Sequence, residues 1–466
     1  MQKLLEKFNI DALIRYGIAA ILIAVPLYPK FPFLAVPGIY VSIRIEDFLI
    51  LSVTILWFFK NIPNLVSLWK KPIVRAVVLF LVTGFIATLS GIIFLHTATG
   101  LIGLLQWARR VEYFMGFFIA ITSVKSVKDI EFYLKCIGIV LILVFIYGVG
   151  QKYFSLPVIT TQNSEYSKGI ALRYVAGGHL ASTFAGHYDL ATYVILTSPF
   201  FVALFFATKE TLQNMFGKIN TKIVRGIILF IIATSFWLMV NAASRISAVS
   251  YVVAISTTLL LLRKYKYIPI IFIITVVFAL GTSNLFDRYL NIFEVVKNKL
   301  TGLIPTAYAQ SSDPMPAVAV LEDRSTSIRL NVEWPQAIRA FTKSPLLGTG
   351  YSSTTLAIDN DYLRSLGEVG ILGSVALFFV YFRIVKDFLV KSWPKNLFGK
   401  KDLPAGEAGI NFRTVYLAGI IGVIPGILLN AVFIDVFEAS KFAIAFWFMI
   451  GFGIAILYHE KNTQTN

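Results

Sequence analysis

The 466-residue sequence has a single cysteine, Cys136, and only four histidines. No internal disulfide can form, and no cysteine–histidine cluster has the spacing of a zinc site or other metal site. Charge is also scarce. Only 14% of residues are Asp, Glu, Lys or Arg, where a soluble domain carries roughly 25%. The formal balance is +17, but much of the excess lies in short connections between apolar runs. There it sets membrane orientation and does not read as a nucleic-acid surface. Gly348-Thr349-Gly350 follows Ser344-Pro345 and is not followed by Lys-Ser/Thr, so it is a turn and not a phosphate loop. No repeat at solenoid spacing and no transporter-style inverted repeat is visible.

What is abundant is apolar sequence: 57% hydrophobic, 15% aromatic, mean hydropathy +0.75. That composition defines an all-α polytopic membrane protein. A crossing needs about 20 apolar residues. About twelve segments qualify, near 16–34, 45–59, 73–95, 101–122, 132–153, 190–207, 226–243, 247–262, 267–281, 371–384, 415–436 and 442–458. Pro26, Pro29 and Pro32 kink the first or end it early. Met1 to Asp11 is polar and of mixed charge, unlike a cleaved signal, so the first span is expected to remain.

Charge sets direction. With both termini cytoplasmic, the inner connections hold Lys60, Lys70, Lys71, Lys125, Lys128, Lys209, Lys218, Lys222, Arg263, Lys264, Lys266, Lys386, Lys391, Lys395, Lys400 and Lys401. The organisation expected is residues 1–284 for helices 1 to 9, an extracytoplasmic loop over 285–366 carrying the site, and 367–466 for helices 10 to 12. The segment 155–189 is also outside. Within the long loop, 301–320 is rich in Ala, Ser and Pro and is expected to be poorly ordered. Residues 327–342 can form an amphipathic helix that Pro335 either kinks or restarts.

Arginines on the outer side break the usual bias and need a reason. Arg245 lies in a very short outer connection, Ala242-Ala243-Ser244-Arg245-Ile246-Ser247. A charge so near the apolar zone is costly unless paired, and a phosphate fits its guanidinium; the alternative is an interfacial Arg snorkelling to water. Arg324 and Arg329 flank Ser325-Thr326-Ser327-Ile328 and can reach one phosphate or be merely solvated. Trp334 follows, to pack or to stack a sugar. Arg173, His179, His187 and Asp189 lie in the other outer segment. His187 can act as a base or bind a sugar hydroxyl, or simply sit at the interface. In span four, Arg109 and Glu112 are three apart and can pair on one helix face, or line a lipid-phosphate path.

Arg329 and Trp334, the run Ser344-Pro345-Leu346-Leu347-Gly348-Thr349-Gly350, and Asp359-Asn360-Asp361-Tyr362-Leu363 through Gly367-Glu368-Val369-Gly370 and Gly373 resemble the large outer loop of the O-antigen ligase/O-antigen polymerase family. Ser244-Arg245, the opening Tyr28-Pro29-Lys30-Phe31-Pro32 and Arg44-Ile45-Glu46-Asp47 are similar to it as well. The resemblance implies a glycosyltransferase of the bacterial inner membrane. Its donor is a glycan on undecaprenyl pyrophosphate, and its acceptor is a sugar hydroxyl on a glycan or glycolipid. Membrane lipids surround it, and no cofactor or essential metal is implied. The family's phosphate-binding arginines map onto Arg245 and Arg329. Where the ligase pattern has a histidine separated from a glycine by ten intervening residues, this chain has Asp359 before Gly370 at the same interval, which favours a polymerase or a related transferase.

The chemistry follows from the residues: arginines for the charge on the departing pyrophosphate, and Asp359 to take the acceptor's proton. Its other reading is a cap on the helix that starts near Asn360. Asn360, Glu368, Arg173, His187 and Arg324 are the candidate substrate-binding residues; Glu368 would orient sugar hydroxyls or anchor the top of span ten. The rival class is a flippase or secondary transporter for a lipid-linked or anionic solute.

Overall fold

The computed structural model describes residues 9–28, 33–35, 42–158, 172–173, 178–281, 328–354, 358–392 and 410–463. The long helices are α1 (Ile10–Leu27), α2 (Ile45–Asn61), α3 (Pro72–Ile93), α4 (Gly100–Ser123), α5 (Val127–Phe154), α6 (His187–Phe205), α7 (Thr221–Ala242), α8 (Arg245–Leu261), α9 (Ile268–Gly281), α10 (Trp334–Lys343), α11 (Asp361–Ser392), α12 (Phe412–Asn430) and α13 (Ser440–Thr463). Among the described residues, nine helical segments are long and apolar enough to cross a membrane. α8 and α9 are shorter apolar helices, and α4 carries Arg109, Arg110 and Glu112 within its length. The chain is an all-α polytopic membrane protein. Helix is the natural answer in lipid, because each backbone polar group is satisfied inside its own segment.

Several expected boundaries shift, two of them for a clear local reason. α1 stops at Leu27, and not near Leu34, with Pro26 in its last turn. α11 starts at Asp361, ten residues before the apolar run, because Asn360 Oδ1 accepts the Leu363 N–H at 2.9 Å and caps it. Most of the expected loop, up to residue 327, lies outside the described residues, including Arg324 and the Ala/Ser/Pro-rich stretch.

Packing uses close backbone approach, since apolar side chains gain nothing from leaving lipid for protein. A Cβ on Gly422 of α12 would fall 2.8 Å from the Ala254 carbonyl of α8, and one on Gly426 would fall 2.7 Å from the Ser250 carbonyl. α13 is buried on every side, and α6 nearly so, so these two form the centre of the bundle.

Hydrogen bonds gather one set of helix ends. Ser247 of α8 donates to Asn430 at the end of α12, which in turn donates to Thr192 of α6. The Asp361 N–H that opens α11 donates to the Ala431 carbonyl at 3.0 Å. Arg44, before α2, reaches Ser440 at the start of α13. Lys441 is fully buried and donates to the carbonyls of Pro26, Tyr28 and Thr183 at 3.0, 2.8 and 2.6 Å. Three carbonyl dipoles replace the water that a buried ammonium would otherwise lose.

Candidate functional site

The site is built on the turn before α10. Pro335 has no N–H, and its ring would clash with the carbonyl four residues back in an α-helix. Residues Arg329–Glu333 widen into a π turn, with the Trp334 N–H on the Arg329 carbonyl, and Pro335 then opens a new helix. Three residues of this turn converge on Asp359. Arg329 donates from Nη2 and Nε to Asp359 Oδ2 at 2.7 and 3.0 Å. Glu333 accepts the Asp359 N–H at 2.9 Å. The Trp334 indole donates to the Asp359 carbonyl at 3.3 Å, while its ring lies 6.1 Å from that of Phe433. Arg329 is 8% exposed and sits over the Tyr188 ring, whose hydroxyl it also reaches at 3.3 Å. Burial works against the guanidinium, but Asp359 and Tyr188 outweigh it and hold its pKa above the ordinary arginine value. Burial pushes the Glu333 carboxyl up, and the bond from the Asp359 amide opposes this.

A second charged group adjoins the first. Arg110 of α4 pairs with Glu438 and lies 3.9 Å from Glu368. Arg364 of α11 contacts Glu368, Asp435 and Glu438 at 3.4, 3.2 and 3.4 Å. The Tyr351 ring lies 4.5 Å from the Arg110 guanidinium, and Glu368 also accepts the Ser352 N–H at 3.1 Å. Burial raises the Glu438 carboxyl, but Arg110 and Arg364 reverse this and leave it below the usual glutamate value. Asp435 goes the other way: burial, then the neighbouring Asp359 charge, push it well above the aspartate norm despite Arg364.

These groups meet because α11 is broken. Gly370 has φ 63 and ψ −167, so residues 361–369 leave the axis of the span that follows. The freed N–H groups of Ile371 and Leu372 donate to the carbonyls of Pro345 and Leu346 at 2.9 and 3.1 Å. Gly348 and Gly350, both at positive φ, let the Gly348-Thr349-Gly350 turn lie on this break, with the Gly350 N–H on the Glu368 carbonyl at 2.8 Å.

Of the residues expected from sequence, Arg329, Asp359 and Asn360 come together. Glu368 enters the neighbouring network, inside α11 and not above it. Asn360, not Asp359, caps α11. Arg245 is the first residue of α8, and the Ser247–Asn430–Thr192 chain places it at the same end of the bundle. His187 opens α6, stacks on His179 with centroids 4.2 Å apart, and precedes Tyr188. Arg173 pairs through its backbone with Pro157, and its side chain lies outside the described residues, as does Arg324. The span-four residue that reaches across the bundle is Arg110. Tyr188, Arg364, Asp435 and Glu438 were not anticipated. A charge within an apolar run was the available signal for Arg110; Arg364 stands one residue past the motif run. Among the described residues, no group of three or more His, Cys, Asp or Glu side chains is placed to hold a metal.

Residues 230–378 match the family model described as O-antigen ligase. The match runs from α7 into α11 and includes Arg245, Arg329, Asp359, Arg364 and Glu368. The chain therefore carries a domain of the O-antigen ligase family. It is a multi-pass membrane protein whose general activity is glycan transfer, as a ligase or polymerase. No curated protein matches the chain.

Proposed function

We propose that this chain transfers a glycan from undecaprenyl pyrophosphate to a sugar hydroxyl on the outer face of the bacterial inner membrane, with both of its termini cytoplasmic. The observation that carries the reading is the buried Arg329–Asp359 pair, held by a π turn at the end of the bundle where Arg245 also lies. Lysine-rich connections at the opposite end support this orientation. The charged network gathers at one end and not between repeat-related halves, which favours transfer over transport.

The chemistry is a direct displacement. The acceptor oxygen forms a bond to the anomeric carbon as the bond to the pyrophosphate breaks, and the electron pair leaves on the pyrophosphate oxygen. Arg329 and Arg245 receive that charge in place of a metal ion. The N-terminus of α8 adds its dipole to Arg245, its first residue. The acceptor proton passes to Asp359. Both bonds from Arg329 fall on Oδ2, so Oδ1 is the oxygen that meets the hydroxyl. Single displacement inverts the anomeric centre. Asn360, Glu368, His187, Arg173 and Arg324 bind and orient the substrates. Asp359 in the place of the family histidine favours a polymerase or related transferase.

The test is glycan transfer in Asp359→Asn and Arg245→Ala variants that insert normally. Each loss is expected to slow transfer by about 100-fold or more, the usual effect of removing a general base or a charge-stabilising donor. Wild-type rates in both would remove this site.

A further inference from the structure

A cavity of about 70 Å³ lies between α4, α11 and the 435–438 turn. Its walls include Arg110, Arg364, Glu368 and Glu438, with Tyr351 and Trp447 as aromatic faces. Asp361, two residues after Asp359, also lines it. We propose that this cavity is the acceptor subsite and takes the hydroxyl-bearing edge of the acceptor sugar. The inference rests on the transferase reading above and names where its second substrate binds.

Charge separates this site from the donor's. Two guanidinium groups here face the carboxyls of Glu368, Glu438, Asp435 and Asp361. Glu368 and Glu438 already balance Arg110 and Arg364, so little positive charge remains here to attract a diphosphate. A neutral polyol suits it, because each hydroxyl both donates to a carboxylate and accepts from a guanidinium. Tyr351 and Trp447 close the cavity with buried aromatic rings. The volume holds only a few water-sized groups, enough for hydroxyls at one edge of a sugar. The ring body then lies at the mouth, and a hydroxyl outside the cavity faces Asp359. Arg245 and Arg329 are left to the anionic donor.

The test uses the full chain in lipid nanodiscs, with two probes read by saturation-transfer NMR or equilibrium dialysis: glucose, galactose and N-acetylglucosamine at millimolar concentration, and inorganic pyrophosphate. The variant Ser365→Leu projects a larger apolar side chain into the cavity, whose wall includes Ser365. At least one sugar is expected to bind the wild type and to bind Ser365→Leu at least tenfold more weakly, with pyrophosphate binding unchanged. Glu438→Gln, which keeps the shape, is expected to weaken the sugar as well, so the test survives if Ser365→Leu does not fold. The subsite is overturned if no sugar binds, if both variants bind sugar as the wild type does, or if pyrophosphate displaces the sugar. Sugar binding without any pyrophosphate binding would support the subsite and count against the diphosphate donor.

Discussion

Asp359 is held through its carboxylate, its amide and its carbonyl by three residues of one turn. Removing Arg329 alone leaves a largely buried carboxylate without its cation, which costs about 3 kcal/mol or more when a buried pair is broken. Arg329→Ala is therefore expected to melt well below wild type in detergent. Arg329→Ala with Asp359→Ala should lose much less than the sum of the two single changes, and strict additivity would contradict the pairing. Glu438 gives a pH signature. Its carboxyl titrates below the free value of 4.5 because Arg110 and Arg364 favour the anion. Its contribution to stability is complete above that free value and is lost as pH falls through the lower folded value. Asp435 has the opposite sign: its folded value is raised by burial, so its stabilising effect is present below 3.8 and fades as pH rises through the folded value. Melting temperature followed against pH should lose part of its acid-side fall in Glu438→Gln, and an unchanged curve would refute that assignment.

At the scale of elements, two backbone irregularities shape the site. Pro335 was legible as a kink or a restart, but not the π turn that it imposes on Arg329–Glu333, since register depends on what the turn must meet. The break at Gly370 was less legible. The polar stretch 361–369 has too many charges to count as a span, so hydropathy assigns it to a loop; it is helical because Asn360 caps it and because Arg110, Asp435 and Glu438 pair with its charges. A Cβ at Gly370 would come within 2.5 Å of the Gly348 N and the Leu346 O, at a φ that L-residues rarely adopt. Gly370→Ala is expected to lower both stability and transfer. A wild-type melting temperature and rate in that variant would show that the 344–351 turn does not depend on the break.

Across the whole molecule, the apolar runs and the all-α class were readable because membrane thickness fixes the length of a crossing. Arg329 and Asp359, both named from the sequence, are brought together as a pair. The partners Tyr188, Arg364, Asp435 and Glu438 were not readable, because their roles come from helix ends that are distant in sequence and meet only in the bundle. The same meeting joins two charged groups, one around Arg329 and Asp359 and one around Arg110 and Arg364, on a single face. The most direct test of glycan transfer from a lipid diphosphate is the profile of lipid-linked glycans in cells from which this protein has been removed. Undecaprenyl-pyrophosphate glycans are expected to accumulate, as single repeat units for a polymerase or as a ladder of long chains for a ligase, and to clear when the wild-type chain is restored but not the Asp359→Asn variant. An unchanged lipid-linked pool would contradict the account.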